Sequence, residues 1–405
     1  MFKRLRTIGP GALVAAAFVG PGTVTTSTLA GAGYGYTLVW ALVFATVATV
    51  VLQEMSSRLG TVAQLGLGAA IRDTLKVSVW RWPVFATVLV AIFVGNCAYE
   101  AGNIAGATAG VIALTGLDGS ATPVVVAAIA ALALVLLWAG SYRLVERALL
   151  GLVLLMAVAF VTTFVLVRPS FSGLLRGAFI PRIPDGSLLT VIALIGTTIV
   201  PYNLFLHASA AKARWRGASD IAAARFDTTV SIGLGGLIAI LIVCTAAASL
   251  FTAGYAVENA ADMARQLEPV FGAASRFLLG VGLFAAGLTS AIAAPLATAF
   301  VVTEILGLDT DVRSRAFRAT AFCVLLSGSL LAITGIRPIE LIVAAQFANG
   351  LLLPFVACFL LAVMNRSTLL GDYVNGRIAN LLGAAVLLLT AGLGLRLLAR
   401  SAGWI

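Results

Sequence analysis

The sequence predicts an all-α integral membrane protein of about eleven transmembrane helices, built as an inverted 5+5 repeat with one helix added. Three observations predict it. Hydrophobic residues make up 61% of the 405 and charged residues only 10%, too little polar surface for a water-soluble domain of this length. The apolar residues gather in segments of about 20 or more, enough to cross a hydrocarbon core of ~30 Å as helices. Two of those segments are interrupted at matching places, Gly20-Pro21-Gly22-Thr23 in the first and Val200-Pro201-Tyr202-Asn203 in the sixth. Proline removes a backbone donor and clashes with the preceding turn, so each is expected to be a broken helix.

In chain order the segments run near 10–34, 37–57, 84–113, 121–140, 146–167, 188–211, 228–252, 270–304, 316–335, 338–364 and 377–398. The N-terminal Lys3, Arg4 and Arg6 precede an apolar stretch with no small-residue cleavage site, so the first helix is expected to be retained rather than removed as a signal peptide. Loops on one side hold Lys3, Arg4, Arg6, Arg58, Arg72, Lys76, Arg81, Arg143, Arg147, Lys212, Arg214, Arg216, Arg225, Arg313 and Arg315. The opposite loops are poorer in cations, and that at 253–269 is acidic through Glu258, Asp262 and Glu268. Cations collect in cytoplasmic loops, which places the N-terminus in the cytoplasm and the C-terminus outside a bacterial inner membrane. Arg168, Arg176, Arg182, Arg396 and Arg400 run against that bias.

The same rule accounts for the formal charge of +10 without nucleic acid as a partner. Cys97, Cys244, Cys323 and Cys358 all fall inside apolar segments with no Cys-x-x-Cys spacing, so they read as packing residues rather than disulfides or zinc ligands. Trp80, Trp82 and Trp215 sit beside loop arginines, as interfacial anchors do. The repeats are expected at 1–170 and 171–364, with 365–405 as the additional helix and C-terminus.

The breaks also indicate a function. Irregular backbone at membrane depth persists only where it lines a cavity or is buried in protein, and paired interruptions in two halves of a chain mark the binding site of a secondary transporter. The substrate site is therefore expected at Gly20, Gly22, Thr23, Val200, Tyr202 and Asn203, with Gln346 and Asn349 from the tenth segment and Thr25 nearby.

At these residues the chain resembles the NRAMP metal transporters. Gly20-Pro21-Gly22-Thr23 stands where that family usually has Asp-Pro-Gly-Asn, and Val200-Pro201-Tyr202-Asn203 with His207 stands where it has Met-Pro-His-Asn and a second histidine. Gln53-Glu54-Met55-Ser56-Ser57-Arg58 resembles the end of the second helix, Gly282 to Gly287 the eighth, and Gln346 with Leu353-Pro354-Phe355 the tenth. The resemblance runs along nearly the whole chain and implies a LeuT-type fold. It also implies that the family's metal ligands are replaced here: Asp by Gly20, Asn by Thr23, Met by Val200, and the neighbouring His by Tyr202.

Divalent ions need charged oxygen ligands, or nitrogen and sulfur for softer metals. A site of hydroxyls, amides and carbonyls beside a helix N-terminus suits a small anion such as bicarbonate, a short carboxylate, or a neutral polar solute. The alternative is a divalent cation carrier with a modified site. Thr289-Ser290, with carbonyls near Val19 and Gly22, stands where related amino-acid transporters hold sodium. The alternative for these hydroxyls is bonding to their own helix.

Glu100, retained from the family's acidic pair, and His207 are the proton-path candidates. The competing reading of Glu100 is an ion pair with Arg315 or Arg318. Glu54 with Arg58 and Glu146 with Arg147 are expected in polar networks on the cytoplasmic side. No cofactor other than a coupling ion is implied, and the oligomeric state stays open. No zinc-protease, nucleophile-elbow or paired Cys/His pattern points to an enzyme.

Overall fold

The computed structural model describes Gly9, residues 20–139 and residues 143–402, without the side chains of residues 143, 144, 146 and 401. The regular structure of those residues is helical throughout. In chain order the helices are α1 (Pro21–Tyr34), α2 (Val39–Arg58), α3 (Leu67–Thr74), α4 (Arg81–Thr115), α5 (Thr122–Ala139), α6 (Arg143–Val167), α7 (Phe171–Phe179), α8 (Leu188–Thr198), α9 (Pro201–Arg214), α10 (Ile221–Ala246), α11 (Ala274–Leu306), α12 (Arg315–Ala332), α13 (Pro338–Met364) and α14 (Arg377–Ser401). Among the described residues, ten spans are long and apolar enough to cross a membrane, with α8 and α9 forming one of them. The first half of the first expected segment lies outside the described residues, and α1 is its second half.

Two expected boundaries move. The span expected to begin at 228 begins at Ile221, and α2 continues through a π-helical turn over Leu59–Ala63. Short helices absent from the sequence reading, α3 and α7, lie between spans. The acidic loop 253–269 folds into helical turns at Ala260–Ala264 and Glu268–Phe271.

Helix α4 is the centre of the bundle, lying along α11, α12 and α13. Its glycines permit this. A Cβ on Gly102 would meet Ala345 of α13, and one on Gly110 would overlap the α11 backbone at Gly280 and Phe284. Such small residues let helix backbones approach where no hydrophobic drive operates. By contrast α14 exposes Ile378, Leu381, Leu388, Leu395 and Leu398, as expected of a helix that faces lipid tails.

The two faces can be told apart by their polar contacts. Arg58, 5% exposed, donates to both Glu54 oxygens at 3.1 Å, to Tyr373 O at 2.6 Å and to Asn375 Oδ1 at 2.7 Å. Arg225, at the start of α10, donates to Glu54 Oε1 at 2.7 Å. The end of α2, the start of α10 and the α13–α14 connection therefore share one face. On the other face Tyr36 OH accepts from Ser170 N at 3.1 Å and Trp40 Nε1 donates to Arg182 O at 2.9 Å. Arg58→Met would strip three acceptors of their donor, and we expect it to cost about 2–3 kcal/mol, read as a lower midpoint of thermal unfolding in detergent.

Three sequence expectations change. Glu100 pairs with neither Arg315 nor Arg318: it lies against Gly328, ten residues along α12 from Arg318 and thirteen from Arg315, and Arg318 stacks over Trp138. Trp215 is buried against Ala211 and Ala224, whereas Trp80 and Trp82 are exposed; its place after α9 turns it into the bundle. Cys97 and Cys244 are buried packing residues, but Cys323 and Cys358 are exposed on the outer surface of their helices. The Glu146 side chain lies outside the described residues.

Candidate functional site at the two helix breaks

Both half-helices begin with proline. Helix α1 starts at Pro21 behind Gly20 (φ −98°, ψ −171°), and α9 starts at Pro201 behind Val200 (φ −80°, ψ 119°), neither with a side-chain cap. A proline at the first position wastes no donor and sets φ for the helix. Of the amides that follow, Asn203 N turns back to Val200 O at 3.1 Å and Val24 N to Gly20 O at 3.3 Å, which leaves those of Gly22, Thr23 and Tyr202 without a carbonyl one turn back in the helix. Each such terminus carries roughly +0.5 of an elementary charge. Helix α8 meanwhile ends at Thr198 and offers carbonyls to the same region, one of them taken by Thr49 Oγ1 at 3.2 Å.

The expected substrate residues lie buried around these breaks. Thr23, Val200, Tyr202, Asn203, Gln346 and Asn349 are each at most 1% exposed, and Gly20 and Gly22 are buried. Thr23 Oγ1 lies 3.0 Å from Thr197 Oγ1, which ties α1 to α8 across the two interruptions. Gln346 lies directly on Gly22, so a Cβ there would overlap its amide, and the Pro21 ring fills the space beside Gly106 of α4. Tyr202 meets Tyr99 edge-on, with ring centroids 5.3 Å apart. Val200 and Tyr202 share an apolar cluster with Tyr99 and Ala345. Walls from α1, α4, α8, α9 and α13 thus surround one polar centre.

Several polar atoms there have no partner. Both amide atoms of Asn203, Gln346 Oε1, Asn349 Nδ2 and Thr25 Oγ1 are buried and unbonded. Buried polar groups in folded proteins are nearly always paired, so a concentration of unpaired ones marks a place built for a ligand or water. Among the described residues no group of three or more His, Cys, Asp or Glu side chains is assembled.

The coupling candidates are placed more loosely. Thr289 turns its hydroxyl back onto its own helix, to Ala285 O at 2.9 Å and Ala286 O at 3.0 Å. Ser290 Oγ is buried and unpartnered. Gly22 O accepts from Thr26 Oγ1 at 2.7 Å, and Val19 lies outside the described residues. Glu100 is fully buried, with one oxygen 3.3 Å from Asn103 Nδ2 and the other unpartnered. His207 Nδ1 lies 2.9 Å from Gln53 Oε1, and its Nε2 is unpartnered.

Sequence reasoning passed over Thr197, Gln266 and Glu304, each buried and hydrogen-bonded to a broken helix. Glu304 carried a usable signal, an ionisable residue at the edge of an apolar segment. The other two look like ordinary polar residues until their partners are known.

An inverted repeat whose two interrupted helices meet at a buried polar centre is the architecture of a LeuT-type membrane transporter. Solved structures agree with that fold. The Eremococcus coleocola manganese transporter superposes with a TM-score of 0.75 at 22% identity, covering 98% of this chain and 87% of that one. MhsT in complex with L-phenylalanine gives 0.62 at 13% identity, covering 95% and 96%. The family model described as natural resistance-associated macrophage protein-like, Nramp, matches residues 11–400. The chain belongs to the Nramp family. Its relatives include the divalent metal cation transporter MntH of Yersinia pestis, 27% identical over 405 residues that cover 98% of this chain and 95% of that protein.

Proposed function

We propose that this protein is a secondary active transporter whose central site carries a small anion or polar solute, such as bicarbonate or a short carboxylate, by alternating access coupled to Na+ or H+. One observation carries the reading. Two helix N-termini, at Pro21 and Pro201, lie in a buried region whose helices also carry the unpartnered side-chain amides of Asn203 and Asn349, and no residue of either break is a carboxylate. Half-helix N-termini in such transporters face anionic substrate groups. In this reading Gly20, Thr23, Val200 and Tyr202 have replaced the ligands of a transition-metal site. The cation-rich face is cytoplasmic, and with it the N-terminus.

A second reading keeps a divalent cation as the cargo, held by amide and carbonyl oxygens of the same residues. It is favoured by the names of relatives at 27% identity, among them the divalent metal cation transporters MntH of Yersinia pestis and Pectobacterium carotovorum. Proteoliposomes separate the two. We expect labelled bicarbonate or a short carboxylate to accumulate under an imposed sodium or proton gradient. We expect no manganese entry by a metal-quenched internal dye, with an ionophore proving that the vesicles are sealed and loaded. Saturable manganese uptake above empty vesicles would return the site to metal transport.

A further inference from the structure

Beyond the bonds at the breaks themselves, each half-helix, α1 and α9, is bonded near its far end to a buried polar side chain that also engages a short helical piece between spans. On one face Gln266, fully buried, donates from Nε2 to Thr28 Oγ1 of α1 at 2.8 Å and to Met263 O at 2.9 Å. Its Oε1 accepts from Thr245 Oγ1 of α10 at 3.2 Å. On the opposite face Glu304, at the end of α11, accepts from Ser209 Oγ of α9 at 2.9 Å through one oxygen and from Gly68 N at 3.0 Å through the other. The second contact caps α3, whose own N-cap, Gly66, supplies no side-chain bond. A Cβ on Gly66 or on Gly68 would collide with the Glu304 side chain, so the Gly66-Leu67-Gly68 turn is shaped to receive it. Arg72 returns a bond to Glu304 O at 2.9 Å.

The two ties join corresponding places in the inverted repeat, although Gln266 belongs to the short piece itself and Glu304 to a span packed on it. Thr28 is seven residues past its break proline and Ser209 eight past its own, each about 10–12 Å along its half-helix. The partner segment is in both cases the short helical piece between the second and third spans of a repeat: α3 after α2, and residues 260–271 after α10. With both ties made, the residues at the breaks are shut off from either face.

We propose that Gln266 and Glu304 are a matched pair of gate latches, Gln266 holding α1 shut on one face and Glu304 holding α9 shut on the other. Their strengths against each other set which face opens. The inference rests on the alternating-access reading above and is independent of the cargo.

Thr28→Val and Ser209→Ala each remove one latch partner while leaving Gln266, Glu304 and the α3 cap in place. Hydrogen–deuterium exchange by mass spectrometry on the full-length protein in nanodiscs reads both faces at once. Loss of a net hydrogen bond corresponds to about a fivefold shift between the two closed-face populations. Thr28→Val should speed exchange about fivefold in 21–34 and 260–271 and slow it in 67–74 and 201–214. Ser209→Ala should do the reverse, and the double variant should return the ratio between faces to that of the parent. Faster exchange confined to the altered face, with the opposite face unchanged, would reduce both residues to local packing and overturn the proposal. Unchanged exchange on both faces would overturn it equally. Because exchange reports no cargo, a failed substrate assignment leaves this test standing.

Discussion

Gly20→Asp is expected to abolish uptake of a small anion while leaving the protein folded. Gly20 has φ −98°, extended backbone open to any residue, and it occupies the N-cap of α1 with no cap bond made. Aspartate is a preferred N-cap, and its carboxylate accepts from the amides of the first turn, contributing about 1 kcal/mol to the helix. The same carboxylate neutralises the helix terminus and repels an anion from a centre where Coulomb effects are poorly screened. The expected pair of measurements is an unfolding midpoint at or above that of the parent and bicarbonate uptake at the level of empty vesicles. Retained uptake in the folded variant would remove α1 from the substrate site. Adding Thr23→Asn and Val200→Met supplies the remaining ligand types that the NRAMP resemblance implies. Manganese binding by calorimetry is expected in that triple variant and absent in the parent, and a triple variant without it would show that ligand identity alone does not choose the cargo.

Asn203→Leu separates binding from stability by a different route. Asn203 is 1% exposed and neither of its amide atoms has a partner. A buried unpaired amide costs the fold about 1–3 kcal/mol, and leucine has nearly the same shape. Replacing it should therefore raise the unfolding midpoint while uptake falls by at least tenfold, the trade expected of a residue kept for function. A variant that loses stability and keeps its activity would make Asn203 a structural residue. Tyr202 offers no such clean test, because its ring packs on Tyr99 and its removal would leave a cavity.

These two results would bear unequally on the sequence reading. The breaks at Pro21 and Pro201 were legible because proline acts through local backbone chemistry, which needs no partner to be known. The residues flanking them could be named for the same reason. Their pairings could not. Thr197 is one of many threonines in apolar segments, and only the approach of α1 to α8 puts its hydroxyl 3.0 Å from Thr23. Trp215 has the loop arginines of an interfacial anchor, yet the turn after α9 carries it into the bundle. Charge alone points Glu100 to the arginines of α12, but packing against Gly328 holds it well along that helix from both.

By itself the sequence determined that this chain spans a membrane through apolar helices, that two of those helices are broken, and that neither break supplies a carboxylate. Composition and backbone chemistry decide these things locally, because lipid requires each helix to satisfy its own hydrogen bonds. The tertiary structure alone decided which polar atoms are left unpaired at the centre and which side chains tie each half-helix shut. Those depend on contacts between residues as far apart as Thr28 and Gln266, or Gly68 and Glu304. A bond across the bundle exists only when packing has already brought both partners to the same depth and the same face.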